Sequence, residues 1–503
     1  MTAGKREMMV SSGPYHGEFI RRLRTIPVHG LGLSVDVHAP DLTSLRRSLQ
    51  ERQVPPAYLE VFRTTPKALA STRKQVGDGL LTYHGEGLWL TQPEMADSTA
   101  FEQEIAEAAK HLMLLQSAWL NHECATKYVA GYHYGTYVPP LYTPLSADVV
   151  AHNTRLIQHL LDRQCRLTNG NTPLMLLEMP PLTYFVAGTM SIPTFFRVIS
   201  ERAPCGLVLD VGHLWTVFRY SDAHRAMSLT RFIEDFLGEF PMDRVVEIHV
   251  AGLAIHESYR ALASRLTRDM DDDSLPAWID AHAAPIPTVL FEMLDQILCH
   301  PQLTSLKGLA LEVDTKPVEL IVDEFAEFSR RYGALFYRLT HAEQAAPDFE
   351  VRSVLECPRE IPSTQPLQEA YDRYAQVLVG KTEPVGSEWS QDKAGIQELD
   401  LYRSLYLPYE LLHWGGNLED MFVESCRRLR ERDVSLDGFV AFWFREPRPL
   451  VGAYDFFLLK VDRFVEFVHE VAPELHGIAE REAEELRQAY RFANEPGVPA
   501  QVS

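Results

Sequence analysis

The sequence predicts an α/β protein, a (β/α)8 TIM barrel with an additional, mainly helical C-terminal domain, and three observations carry that prediction. Eight short, β-rich apolar runs alternate with amphipathic stretches of helical period. Runs such as Leu174-Met-Leu-Leu-Glu178 and Gly206-Leu-Val-Leu-Asp210 are apolar almost throughout, as a parallel sheet covered on both faces requires. Both of these end in a carboxylate, at the position where barrel enzymes carry their chemistry.

The strands are expected at residues 32–37, 58–62, 80–84, 119–121, 174–178, 206–210, 245–250 and 309–313. Helical patterns fall at 42–52, 66–75, 101–117, 147–162, 193–201, 223–238 and 286–299, with another at 318–332 after the last strand. Strict alternation implies parallel pairing through right-handed crossovers, and eight such units close into a barrel. The stretch 341–362, with Pro347, Pro358 and Pro362, reads as a boundary that divides a barrel domain, 1–345, from a helical domain, 346–503. Helices are expected there at 365–379, 399–413, 418–432 and 473–494, whereas the aromatic run 439–444, backed by Pro447 and Pro449, reads as a loop or short strand. This second domain has no chemistry-bearing motif, so a structural, oligomeric or partner-binding role is expected of it.

A length of 503 residues suits a barrel plus a second domain. Hydrophobic residues make up 46% and aromatics 10%, enough to build a core over nearly the whole chain. The balance of 48 Lys+Arg against 69 Asp+Glu, a formal charge of −21, argues against nucleic-acid and anionic-membrane surfaces. Apolar runs are too short to span a bilayer and the start has no secretory core, so a cytoplasmic location is expected. The six cysteines lack short paired spacings and read as reduced thiols. Cys124 reads as packing despite its neighbours.

Candidate ligands gather at the strand ends. His84 leaves the third strand before a Gly-Glu-Gly turn, where backbone can approach a ligand closely. After the fourth strand His122 and Glu123 are adjacent, and only one can point inward. The fifth strand ends in Glu178 and the sixth in Asp210, with His213 just beyond. In the seventh, Glu247 and His249 share a face by the period of two. Asp280 and His282 precede Pro285-Ile-Pro287, and the eighth strand closes with Glu312 and Asp314. Taken singly, a strand-end acid caps a loop as readily as it binds a metal. Buried together, so many carboxylates require cations, and a mixed N/O set without Cys suits Fe, Mn or Zn, with more than four ligands implying more than one ion.

These motifs, with Tyr58-Leu-Glu-Val-Phe62 and Pro139-Pro-Leu-Tyr-Thr143, make the chain resemble the DUF692 (UPF0276) family, the multinuclear non-heme iron-dependent oxidative enzymes, from about Gly30 to Phe328. The resemblance implies iron ligation by His84, His122, Glu178, Asp210, His249, Asp280, His282 and Glu312, with His84, Glu178, Asp210 and His249 acting in catalysis. It implies two or three irons, ferrous and ferric together, and dioxygen as co-substrate. The implied substrate is a ribosomally made precursor peptide, oxidised at cysteine as in the maturation of methanobactin-like products. A leader-binding partner protein is expected, or the C-terminal domain in that role. Where the family has Glu-Asn this chain has Glu178-Met179, and where it has a double Asn this chain has Gly212-His213, which adds His213 to the candidate ligands. His133 and the Asp36/His38 pair read as structural. An alternative is a divalent-metal barrel isomerase or hydrolase like xylose isomerase or endonuclease IV, whose sites also set His, Asp and Glu at strand ends.

Overall fold

The computed structural model describes residues 14–37, 41–95, 98–256, 276–313, 315–343, 354–358, 364–450 and 454–494. His38, Asp314 and the expected boundary at 345/346 lie outside the described residues. The strands, in chain order, are β1 (Gly30–Val35), β2 (Tyr58–Phe62), β3 (Leu80–His84), β4 (Trp119–Glu123), β5 (Thr126–Val129), β6 (Tyr132–Val138), β7 (Leu174–Glu178), β8 (Gly206–Asp210), β9 (Val245–Val250), β10 (Leu253–Ile255), β11 (Trp278–Asp280) and β12 (Gly308–Glu312). Eight of them form one closed barrel, ordered β1-β12-β9-β8-β7-β4-β3-β2, with every pairing parallel. These are the eight expected runs, shifted by at most two residues at their ends.

The sequence reading missed several elements, among them an opening helix His16–Leu23, the antiparallel hairpin β5–β6, the helix Val211–Tyr220, the small antiparallel pair β10–β11 and the helix Phe456–Val471. The opening helix closes the bottom of the barrel, where Phe19 and Leu23 pack with Tyr58, Trp119, Leu174, Val208, Val246 and Ala310. Glycines make room for this layer, since a Cβ at Gly308 would lie 2.6 Å from the Tyr58 hydroxyl. A buried Arg22 fastens the helix, donating to both carboxylate oxygens of Asp162 at 2.7 Å and to Glu18 at 2.8 Å.

Inward parity follows from this floor. Trp119 on β4 points in, so Asn121 and Glu123 do too, and His122 faces the other way. On β2 the inward set is Tyr58, Glu60 and Phe62 by the same count, and Glu60 stands level with Ser34 of β1.

The expected C-terminal helices are present, though 399–413 is broken by a π-helical turn at Tyr402–Tyr406 and 418–432 at Phe422. Residues 439–443 of the aromatic run belong to a helix, Asp437–Trp443, with Phe444 as its C-cap, and not to a loop or strand. Its aromatic composition favours strands in isolation, but Phe439 packs on Phe464 and Phe467 of the helix Phe456–Val471 at 5.4 and 5.6 Å, and tertiary contact overrides propensity. The C-terminal helices share one contiguous apolar core with the barrel wall. Tyr374 donates to Pro139 O at 2.8 Å and Trp443 Nε1 to His133 O at 2.8 Å.

Truncating Phe19 to Ala empties the barrel floor and is expected to cost about 3–5 kcal/mol, read as a lower midpoint of denaturant unfolding with an unchanged slope.

Candidate metal centre

Seven carboxylates (Glu60, Glu123, Glu178, Asp210, Glu247, Asp280 and Glu312) and four imidazoles (His84, His213, His249 and His282) meet inside and above the C-terminal end of the barrel. All but Asp280 and His282 are buried, and those two have side chains about one-fifth exposed, at 20% and 18%. Among the described residues, each ion pair made by these carboxylates runs to an imidazole.

Glu178 sits in the middle. Its Oε2 accepts from Asn121 Nδ2 at 2.7 Å and faces His84 Nε2 at 3.2 Å, while Oε1 lies 3.4 Å from His249 Nδ1 and 3.7 Å from His213 Nδ1. One donor atom from each of Glu178, Asp210, His249 and Glu312 falls within 4.8 Å of the others, and so it does in the sets His213, Asp280, His282 and Glu123, Glu178, His213. A fourth set, Glu60, Glu247 and His249, lies one layer deeper.

Local structure fixes which atoms face in. Asp210 caps the helix Val211–Tyr220: its Oδ1 accepts from His213 N at 2.7 Å, leaving Oδ2 without a hydrogen-bond partner. The same cap puts His213 in the first turn, where Nδ1–H donates to Met179 O at 2.7 Å and Nε2 is turned toward Asp280 Oδ2, 3.6 Å away. His84 does likewise, Nδ1–H donating to Gly85 O at 3.1 Å. An imidazole whose far nitrogen is tied to a carbonyl presents its other lone pair in a fixed direction, the usual arrangement of a metal-binding histidine. Beneath His249 Nε2 stand Glu60 at 3.3 Å and Glu247 at 3.6 Å, held by Ser34 Oγ at 2.9 Å and the Tyr58 hydroxyl at 2.6 Å respectively.

Several buried polar atoms here have no hydrogen-bond partner, among them Glu123 Oε2, His213 Nε2, both nitrogens of His249 and Glu312 Oε2. Such orphans are rare in a protein interior. The electrostatics are correspondingly perturbed. Burial pushes Glu123 up to about 8, with the charge of Glu178 adding to it, and pushes Asp210 up to about 6. Burial opposes a charge on His84, but the hydrogen bond and charge of Glu178 prevail and raise it to about 9. A group of acids and bases at such odds with its own protons, with lone pairs converging and unfilled, fits divalent or trivalent cations bound by nitrogen and oxygen.

The structure brings together His84, Glu178, Asp210, His213, His249, Asp280, His282 and Glu312. It does not bring in His122: Nδ1–H donates to Glu123 O at 2.8 Å and Nε2 accepts from Leu88 N at 3.1 Å, so both nitrogens are spent on backbone. The inward neighbour Glu123 takes that place, and the signal was the parity shared with Trp119. Glu60 was also missed, because it lies in the middle of a strand and not at its end. Cys124 packs in the apolar core, and His133 is buried beneath the C-terminal helices with Nε2 bonded to Arg448 O at 3.2 Å. A cavity of about 920 Å³ opens over the cluster, lined by His84, Glu123, Asp280, His282 and Glu312.

A family model described as the RiPP precursor modification enzyme MbnB/TglH/ChrH matches residues 29–330, more than half of the chain. The chain belongs to this family. RiPPs are ribosomally made peptides modified after translation, so the MbnB/TglH/ChrH family is one of peptide-modifying enzymes. The chain is 27% identical over 226 residues to a UPF0276 protein of Rhizobium meliloti, covering 44% of this chain and 61% of that protein. It is 21% identical over 215 residues to one of Vibrio parahaemolyticus, covering 42% and 62%. It thus spans about three fifths of the length of these relatives. Among solved structures it is similar to endonuclease IV from Thermus thermophilus (15% identity, 63% of this chain and 98% of that one, TM-score 0.32) and to a xylose isomerase domain protein from Planctomyces limnophilus (10%, 64% and 100%, TM-score 0.36). No described helix is long and apolar enough to cross a membrane.

Two outcomes are expected of this site. Protons on His84 and Glu123 compete with cations, so metal affinity rises with pH through the neutral range up to about 8 or 9, and binding releases protons; calorimetry in buffers of different ionisation enthalpy measures both. A Cβ at Gly252 would lie 2.7 Å from Ala281 O and closer still to Ala284 O. Gly252→Ala is therefore expected to displace the Asp280–His282 loop and lower the metal-to-protein ratio while the far-ultraviolet circular dichroism stays unchanged.

Proposed function

We propose that the chain is a non-heme iron- and dioxygen-dependent oxidase that modifies a ribosomally made precursor peptide, at a cysteine. The observation that carries this reading is the convergence of buried carboxylates and imidazoles beneath a cavity of about 920 Å³, in a chain of a peptide-modifying family.

Glu178, Asp210, His249 and Glu312 would hold one ion, His213, Asp280 and His282 a second, and Glu123, with Glu178 and His213 shared, a third. Iron in these positions would supply one-electron chemistry with dioxygen and a Lewis-acid position for a substrate thiolate. The chain's own contribution is orientation. Asn121 holds the Glu178 carboxylate in register, Met179 O and Gly85 O fix the tautomers of His213 and His84, and Glu60 and Glu247 back His249 from below. His84, at the cavity wall with Nε2 3.2 Å from Glu178, would add a further nitrogen ligand beside that carboxylate. Among the described residues the gathered ligands are imidazoles and carboxylates, a set that suits iron.

The reading is tested by anaerobic purification with iron counting and Mössbauer spectroscopy, followed by reaction with a cysteine-bearing precursor peptide encoded beside the gene. The expected outcome is two or three irons per chain and an oxidative mass change of the peptide that needs dioxygen. Turnover under nitrogen by a zinc- or magnesium-loaded protein would favour the isomerase or hydrolase reading instead. Glu178→Gln is expected to lower peptide conversion at least about 10²-fold and to reduce bound iron, since it removes the shared ligand.

A further inference from the structure

The cavity above the metal centre has two unlike sides. One belongs to the barrel and the β5–β6 hairpin and carries charge, with Lys127 paired to Glu86 and Arg63 to Glu104 at 2.9 Å. The other is contributed by the C-terminal helices: Tyr406, Tyr409 and Trp414 line the same cavity as His84 and Glu312.

The helix that supplies these rings is shaped for the purpose. Pro408 has no N–H to give to the carbonyl four residues back, and the turn before it, Tyr402–Tyr406, is wound as a π-helix. From that widened turn Tyr406 reaches His256 at 5.4 Å, and Tyr409 stands edge-on to His256 at 4.3 Å and beside His413 at 4.3 Å, so the aromatic face is held by rings on both sides. Trp414 follows at the mouth, 47% exposed. It is not loosely placed. Gly415 and Gly416, at φ 64° and 103°, turn the chain away, and the fully buried Lys460 donates to Trp414 O and to Gly416 O, the latter at 2.6 Å. Burying a lysine, whose pKa burial pushes down to about 7, to hold the backbone of an exposed tryptophan is costly, and it leaves a large apolar ring fixed beside the metal centre.

We propose that Tyr409 and Trp414 form a substrate-binding wall that takes an aromatic or large aliphatic side chain next to the modified residue of the peptide. The C-terminal region then sets specificity at the site of reaction, within the catalytic cavity. This rests on the peptide-modifying reading above.

The test uses the full chain loaded with ferrous iron under nitrogen and four acetylated, amidated pentapeptides, each with Cys or Ser at the centre and Phe or Ser on both flanks, titrated by calorimetry. Phe-flanked peptides are expected to bind about ten-fold tighter than Ser-flanked ones for either centre. Trp414→Ala and Tyr409→Ala should each shrink that preference without changing iron content, and Tyr409→Phe should retain it. Equal affinity for the two flanks, no measurable binding by any of the four, or a preference undiminished in the Trp414→Ala/Tyr409→Ala double variant would overturn the wall. A flank preference with no advantage of Cys over Ser at the centre contradicts the cysteine-directed reading and leaves the wall standing.

Discussion

Repulsion between buried carboxylates governs this molecule. Glu60, Glu178, Asp210, Glu247 and Glu312 are all at most 2% exposed and crowd around one imidazole, His249, with which all but Asp210 form its ion pairs. A neutral core of the same shape would fold more easily, because desolvating each charge costs several kcal/mol and the seven carboxylates of the site outnumber its four imidazoles. The arrangement makes sense as a cage whose missing charge arrives with cations, and the rest of the structure serves to keep that cage rigid.

The barrel does this by layers. Tyr58 and Trp119 fill the floor, with Gly32 and Gly308 leaving room for Tyr58, and the opening helix caps it from below. Next come Ser34, Glu60 and Glu247, which orient His249; above them lie the atoms that face one another at ligand distance. On most barrel strands each layer is reached from the one beneath by a step of two residues, with a register shift on β9 bringing Glu247 next above Val246, so most of the site is positioned by sheet geometry, and His213 and His282 join it from the helix and the loop that follow strand ends. The C-terminal helices finish the cavity by adding an aromatic side to a polar one.

The barrel strands were legible because continuous apolar runs set between helical patterns suit buried parallel strands and little else, and most of the gathered residues were legible because they end those runs. Parity was the signal left unused: reading Trp119 as floor would have turned Glu123 inward and His122 outward, and reading Tyr58 as floor would have exposed Glu60 as a member of the interior file. The helix that carries His213 was hidden because it begins directly at the strand end, with Asp210 serving as both strand terminus and cap. The hairpin β5–β6 went unread although its Thr, Tyr and Val content favours strands and Ala130-Gly131, both at positive φ, marks its turn. The part played by Tyr409 and Trp414 was beyond reach of local reading, since it depends on a helix more than 100 residues downstream of β9 folding back over the barrel mouth.

The central claim is that cations make this company of acids tolerable. Anomalous diffraction at the iron absorption edge, from crystals of anaerobically purified protein, tests it most directly. The account predicts separate peaks within bonding distance of Glu178, Asp210, His249 and Glu312 and of His213, Asp280 and His282. A well-ordered cluster in the same arrangement, without any anomalous peak after soaking with ferrous iron, would contradict it.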